Sequence, residues 1–184
     1  MKTALIVIDM QNSFLHPDGE NYYDGAQDVV DNCLTLIAKA RSTGTLIVHV
    51  ADRHRRNFDD FESKHLPRHC VSGGFHAEFF EGFGPLSDGQ EIEIEKRRFS
   101  AFFATELALF LTEQSVERLI LCGVKTNVCV RATAQDAFAH GFEVCVVKDA
   151  TNSNRQHLAD ASLEDIERYL GRLVTTQEAA ELLA

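Results

Sequence analysis

Arg118-Leu119-Ile120-Leu121-Cys122-Gly123-Val124-Lys125-Thr126-Asn127-Val128-Cys129-Val130 reads as a strand that stops at a glycine and turns at once into a helix. Apolar residues fill 119–122, and from Arg131 to His140 they recur at helical spacing. A turn of that kind leaves unpaired backbone N–H groups at its mouth. Cys129 falls in the first helical turn, where those groups and the helix dipole favour a thiolate over a thiol. The same donors can hold the oxyanion formed when a thiolate attacks a carbonyl. The other reading of Cys129 is a small buried hydrophobe. Partners elsewhere in the chain decide between them.

Upstream, Thr3 to Ile8 is a continuous apolar run, the pattern of a strand buried on both faces of a parallel sheet, and it ends in Asp9. Open α/β sheets place their sites at the carboxyl ends of such strands, although an Asp there also serves as a loop cap. A helix is predicted from about Ala26 to Ser42, with Gly44 after its end, and a second buried strand from Thr45 to Val50. Ile92 to Glu95 predicts a short strand ending in Lys96, which reads either as a partner for the thiol or as part of a basic surface triplet with Arg97 and Arg98. Helices follow from about Thr105 to Gln114 and from Leu158 to Leu170, with strands at 142–147 and 172–174 and a last helix from Thr176. Strands and helices alternate without repeat or linker. The expectation is one domain over residues 1–184, a doubly wound three-layer α/β/α fold with a mostly parallel central sheet.

Between the second strand and Ile92 lies a long polar excursion rich in histidine. Excursions of that length inside a domain are functional or disordered, and Phe75, Phe79 and Phe80 argue against disorder. Asp52, His54, Glu62 and His69 form an oxygen/nitrogen set suited to one divalent ion, Zn²⁺, Fe²⁺ or Mn²⁺; charged loop residues are also commonly just solvated.

The totals narrow the classes. With 184 residues and a net charge of -10, the chain has room for a sizeable core and is no partner for nucleic acid or an anionic membrane. The 5 cysteines are scattered, without a Cys-x-x-Cys pair, which fits a reducing compartment. The N-terminal residues begin a strand rather than a signal peptide, and no run is long enough to span a membrane, so a cytoplasmic location is expected. No Gly-x-Gly-x-x-Gly follows the first strand, which argues against a dinucleotide cofactor.

Asp9, Lys96 and Cys129 all fall at predicted strand ends, and their chemistry is complementary: a nucleophile, a base for its proton, and a cation beside both. Ile6-Val7-Ile8-Asp9-Met10-Gln11-Asn12-Ser13-Phe14, Lys96-x-Arg98-Phe99-Ser100-Ala101-Phe102 and Gly123-Val124-Lys125-Thr126-Asn127-Val128-Cys129-Val130 resemble the three signature blocks of isochorismatase-like cysteine hydrolases, in the same order across nearly the whole chain. The resemblance implies a catalytic triad of Asp9, Lys96 and Cys129 that cleaves a C–N bond of a small amide through a thioester, without an organic cofactor. It implies a cis peptide between Val124 and Lys125, an oxyanion hole from the N–H groups of Lys125 and Cys129, and a homo-oligomer. Asp52-x-His54 with Glu62-Ser63-Lys64-x-x-Pro67-x-His69 resembles the metal loop of nicotinamidases, in which the ion binds a pyridine nitrogen; Phe14 and Phe99 would flank a flat ring. Asn127 departs from that branch, which usually carries Asp there, and Thr-Asn-Val-Cys-Val is more typical of relatives that cleave ureido or N-carbamoyl compounds. Three readings result: a nicotinamidase-like amidase, a metal-independent ureide or carbamoyl hydrolase, and a silent binding or scaffold member.

Overall fold

β1 (Thr3–Ile8) is the strand on which the rest is laid down: Ala4 to Ile8 are buried, and its two neighbours are β2 (Leu46–Asp52) and β4 (Arg118–Val124), both parallel to it. The computed structural model describes residues 1–87 and 89–183. Six strands form one sheet in the order β3-β2-β1-β4-β5-β6, with β3 (Glu91–Lys96), β5 (Glu143–Asn152) and β6 (Arg172–Val174), and every pairing is parallel. The chain moves outward from β1 on one side and restarts from it on the other. The crevice between the carboxyl ends of β1 and β4 is therefore the topological switch point.

Helices cover both faces because the central strands are apolar on both. Leu5 and Val7 of β1, with Ile47, Ile120 and Cys145, pack against α2 (Val30–Thr43) and α6 (Thr176–Leu182). Ala4, Ile6 and Ile8, with Val48, Leu121 and Val146, face α3 (Leu107–Glu113), α4 (Arg131–Ala139) and α5 (Gln156–Tyr169). That is the doubly wound α/β fold expected from the alternation of elements.

Several boundaries differ from expectation. The helix expected from Ala26 opens as a 3₁₀ turn, Ala26–Val29, before α2, and Gly44 closes α2 at φ 67° as foreseen. α3 begins at Leu107 rather than Thr105; the Thr105 hydroxyl sits before the helix, accepting from Leu107 N–H at 3.3 Å. Asn12–Leu15 forms a single helical turn (α1) in what reads as loop. β5 runs five residues past its expected end because the β4–β5 register jumps: Leu121 pairs with Val146, but Gly123 pairs with Thr151. The excursion from 53 to 87 is ordered by 3₁₀ turns at Phe61–Lys64 and Phe75–Ala77 and by bridges from Gln11 to Phe79 and from His54 to Val71.

Gly123 is where β4 turns into the elbow, at φ 113°. A Cβ there would collide with the Ile8 carbonyl oxygen and lie 2.7 Å from the Ile8 nitrogen, so β1 and β4 close up only over glycine. Gly123→Ala is expected to destabilise the fold by about 3 kcal/mol or more, from steric overlap and a left-handed backbone together, read as a lowered midpoint in urea unfolding.

Candidate active site

Asp9 follows β1 directly and holds a left-handed backbone, φ 54°, that Asp tolerates better than most residues. Its N–H donates to Val50 O of β2 at 3.0 Å, and its own carbonyl accepts from Gln11 N–H at 2.8 Å. The Gln11 side chain fastens the neighbouring strand end: Nε2 donates to Asp52 O and Ala77 O, both at 2.9 Å, and Oε1 accepts from Asp52 N–H at 2.8 Å.

Lys96 arrives from β3, an edge strand two places from β1, rather than from a central strand. Its side chain is 1% exposed, and Nζ lies 2.9 Å from Asp9 Oδ2 and 3.5 Å from Cys129 Sγ. The basic-triplet reading of Lys96 is thereby excluded. The Asp9 carboxylate is fully buried, and the groups within reach of its oxygens are the Lys96 ammonium and the Cys129 thiol.

Cys129 sits in a π-helical turn, Thr126–Val130, which follows the cis Val124–Lys125 peptide and runs straight into α4. The other four cysteines, 33, 70, 122 and 145, are also free and buried, but Cys129 alone borders both Lys96 and the open cavity. Burial pushes its thiol well up, and the Asp9 charge adds to that while Lys96 opposes it. Burial and the Asp9 charge thus favour the thiol, where the helix terminus alone would favour a thiolate. Burial also raises the Asp9 carboxyl, to about 6, although Lys96 pulls it down. Burial is the largest single effect on Lys96 and lowers it, but Asp9, Cys129 and Asp52 together outweigh burial and hold the ammonium well above its ordinary value.

A second cluster lies beside the first. Asp52, at the end of β2, places Oδ1 3.2 Å from His54 Nε2 and Oδ2 3.1 Å from His69 Nε2. Each histidine is held from behind: His54 Nδ1 bonds Asp60 Oδ2 at 3.0 Å, and His69 Nδ1 bonds the Pro67 carbonyl at 2.9 Å. Because those partners only accept, both Nδ1 atoms carry hydrogens, and the Nε2 lone pairs of neutral rings would face carboxylate lone pairs. Asp52 Oδ1 and His54 Nε2 are buried without a hydrogen bond. Acceptors gathered this way need positive charge among them, from protons on the rings or from a cation. Hydrogen bonding to Asp52 raises His69 to about 9 when protons fill that role. One ligand atom from each of the three residues lies within 4.8 Å of the others, so the donor set fits a divalent ion.

Glu62, the fourth expected ligand, is buried nearby but outside this tight group. Its Oε2 stands 3.8 Å from His54 Nε2, and its Oε1 faces Arg98 at 3.9 Å. Arg98 also pairs with Asp60 at 2.8 Å, so Asp60 stands behind His54 on its Nδ1 side while Glu62 faces Nε2, the side of Asp52. Asp60 was not singled out from the sequence. Its visible signal is only that of a cap, which it also is, accepting from Glu62 N–H at 3.0 Å.

Both clusters open on one cavity of about 430 Å³. Phe14, Phe99, Asp52, His69 and Cys129 line it, together with Leu66, Pro67, Asn127, Arg131 and Lys125. The last two were not read from the sequence as pocket residues.

Fold and cavity together define the class: a doubly wound α/β enzyme with its site at the switch point and a thiol at the floor. The chain belongs to the isochorismatase family, whose domain model, "Isochorismatase domain", matches residues 3–178. It is 34% identical to the maleamate amidohydrolase of Pseudomonas putida over 99% of this chain and 87% of that protein. An isochorismatase-like hydrolase from Alkaliphilus metalliredigens superposes with a TM-score of 0.92 at 29% identity, each chain covered in full. The pyrazinamidase of Pyrococcus horikoshii, solved in complex with zinc, superposes with a TM-score of 0.85 at 34% identity, over 95% of this chain and 99% of that one. The protein is an amidohydrolase of this family.

Removing the lysine while keeping its bulk isolates the buried pair. Lys96→Met should cost about 3–5 kcal/mol of stability near pH 8, since it leaves a buried carboxylate unpaired. Without Lys96 the folded Asp9 pKa rises further above its unfolded value, so the native state binds the extra proton. Stability of the variant therefore falls as pH rises from about 4 through that pKa, and the deficit is smaller at pH 5 than at pH 8. Urea unfolding at the two pH values checks this.

Proposed function

We propose that Cys129 is the nucleophile in the hydrolysis of a small amide to its acid and ammonia, with Asp9 as proton carrier and Lys96 as the charge that holds both. The observation that carries the reading is the contact chain Asp9–Lys96–Cys129, 2.9 Å and 3.5 Å, buried at the floor of a cavity. Asp9 takes the thiol proton as Sγ attacks the carbonyl carbon, and the oxyanion is received by the Lys125 and Cys129 N–H groups. Asp9 then gives the proton to the departing nitrogen, the C–N bond breaks, and a thioester remains. Water attacks the thioester, Asp9 takes its proton, and the acid leaves as Sγ recovers a hydrogen.

Asp52, His54 and His69 would hold a divalent ion at the cavity wall, with Glu62 beside His54 Nε2 and Asp60 behind its Nδ1. Such an ion supplies a Lewis-acid contact that orients a lone pair of the substrate, a ring nitrogen where the substrate is nicotinamide-like. Phe14 and Phe99 then supply the walls for a flat ring. The resemblance of Asp52, His54 and His69 to the nicotinamidase loop supports a nicotinamide-like substrate. A ureido or N-carbamoyl substrate is favoured instead by Asn127, which lines the cavity and accepts from the Ser153 hydroxyl at 2.6 Å. A homo-oligomer in a cytoplasmic setting remains part of the proposal; Phe99 and Phe103, 42% and 59% exposed, are apolar surface that a partner copy would cover.

Ammonia release is the assay. Cys129→Ala should lower turnover at least about a thousandfold with the far-UV spectrum intact; retained activity would overturn the mechanism. Because Asp9 must be ionised to accept the proton, and burial raises it to about 6, kcat/KM should fall as pH drops through about 6. A flat profile between pH 5 and 7 argues against Asp9 as the base. For the ion, the purified protein should retain zinc, manganese or iron by elemental analysis, and His54→Ala and His69→Ala should each lower retention about tenfold or more.

A further inference from the structure

β5 leaves its register where the elbow begins. Leu121 of β4 pairs with Val146, but Gly123 pairs with Thr151 and Val124 with Asn152, three residues further along β5 than the first pairing would give. In an unbroken register Lys148 and Asp149 would stand beside Gly123 and Val124. Both are exposed instead, and Asp149 Oδ1 accepts from Thr176 N–H at 2.8 Å, at the start of α6. The jump thus keeps two charges away from the end of β4 and brings in the neutral residues Thr151, Asn152 and Ser153. Bulges next to sites re-aim side chains in this way.

The re-aimed side chains reach two segments that border the cavity. The Thr151 hydroxyl meets the Thr126 hydroxyl at 2.8 Å, at the first residue of the π-helical turn. Both residues are buried, and neither hydroxyl has another partner among the described residues. Next to them, Ser153 Oγ donates to Asn127 Oδ1 at 2.6 Å and accepts from Arg155 N–H at 3.2 Å. Asn152 turns to the other segment: its Oδ1 accepts from the Tyr23 hydroxyl at 2.6 Å, and its Nδ2 donates to Gly25 O at 2.6 Å. Lys125 Nζ lies 5.0 Å over the Tyr23 ring, and Asn21 of the same segment lines the cavity.

We propose that Thr151 and Asn152 are positioning residues for the hydrolysis: Thr151 clasps the elbow and fixes where the Cys129 sulfur lies against Lys96, while Asn152 clasps the 21–25 segment and fixes the facing wall. This deepens the reading of Cys129 as nucleophile and rests on it. The β4 ladder ends at Val124, so β4 itself does not hold the turn. Within the turn, Val128 and Val130 N–H both donate to the Lys125 carbonyl, at 3.1 and 3.3 Å, which makes it one rigid piece. α4 carries its far end, and the buried hydroxyl pair pins its near end. Rotation of that piece lengthens the 3.5 Å contact between Sγ and Lys96 Nζ. A shift of about 1 Å in a reacting group can cost about a hundredfold in rate.

Two measurements separate this inference from the reading beneath it, and the first needs no substrate. Cys129 is alkylated with iodoacetamide near pH 8, and the modified peptide is quantified by mass spectrometry. Thr151→Val keeps the shape but leaves the Thr126 hydroxyl buried without a partner. Stability in urea and the alkylation rate should both fall, the rate by about fivefold or more. Thr126→Val with Thr151→Val removes both hydroxyls, so stability should return toward the wild type while the rate stays low. Thr151→Ser should restore both. A wild-type or faster rate in Thr151→Val, or a double variant that regains rate together with stability, overturns the clasp, since the hydroxyls then serve stability alone.

The second measurement splits kcat from KM by ammonia release, with nicotinamide and maleamic acid as probes. Thr151→Val should lower kcat by about tenfold or more and leave KM within about twofold, because it moves the sulfur and not the wall. Asn152→Ala should raise KM by about fivefold and change kcat less, because it frees Tyr23 and the segment that carries Asn21. The opposite pattern, or unchanged constants in both variants, overturns the inference and leaves the amidohydrolase standing. Wild-type protein that releases no ammonia from either probe, with alkylation rates ordered as above, supports the clasp and counts against the amide reading.

Discussion

The contact between Lys96 and Asp9 is the constraint on which the site depends. A lysine from an edge strand crosses the end of β2 and reaches a carboxylate after β1, fully out of water. Two buried charges at 2.9 Å cost several kcal/mol to desolvate and return that only if the geometry is good. The sequence around them fixes that geometry. β2 and β3 place Asp52 opposite Lys96, and Arg53 N–H donates to the Lys96 carbonyl at 2.9 Å. Gln11 meanwhile ties the segment after Asp9 to the end of β2. Three strand ends are thus locked to one another before any side chain performs chemistry.

That locking also governs the thiol. A cysteine at a helix terminus in water would lose its proton readily, but here burial and the Asp9 charge work against the thiolate. The lysine sits close enough to both groups to favour whichever one carries the negative charge. Moving a proton from Cys129 to Asp9 shifts one negative charge from the carboxylate to the sulfur, and the ammonium remains in contact throughout. Such an arrangement keeps the total charge of the pocket floor constant, so no step requires the low-dielectric site to accept a new charge.

Much of the fold was legible because its signals are local. Thr3 to Ile8 is apolar on both faces only because helices cover both, and Gly44 and Gly141 mark helix ends with left-handed backbone. Asp9, Lys96 and Cys129 stood out in the sequence because each falls at or just beyond the carboxyl end of a strand, and the structure brings the three together. What escaped the sequence depends on register and on long-range contact. Nothing in Lys148-Asp149-Ala150 announces that β5 re-pairs with β4 after a jump. Nothing in Asp60 shows that it will stand behind His54, and nothing in β3 shows that it is an edge strand. Glu62 illustrates the same limit: the spacing brings it close, but Arg98 faces one of its oxygens and it stays outside the group formed by Asp52, His54 and His69.

Arg131 and Lys125 escaped for a different reason. On a sequence, a lysine before the nucleophile turn and an arginine at the first residue of a helix are ordinary solvated charges. Only the fold shows that both border one cavity. The elbow from Lys125 to Arg131 thus carries both the buried thiol and two cationic residues that line the same cavity. A substitution at Lys125 or Arg131 therefore changes the lining of the cavity without touching the contacts among Asp9, Lys96 and the sulfur, because lining and contacts are carried by different side chains.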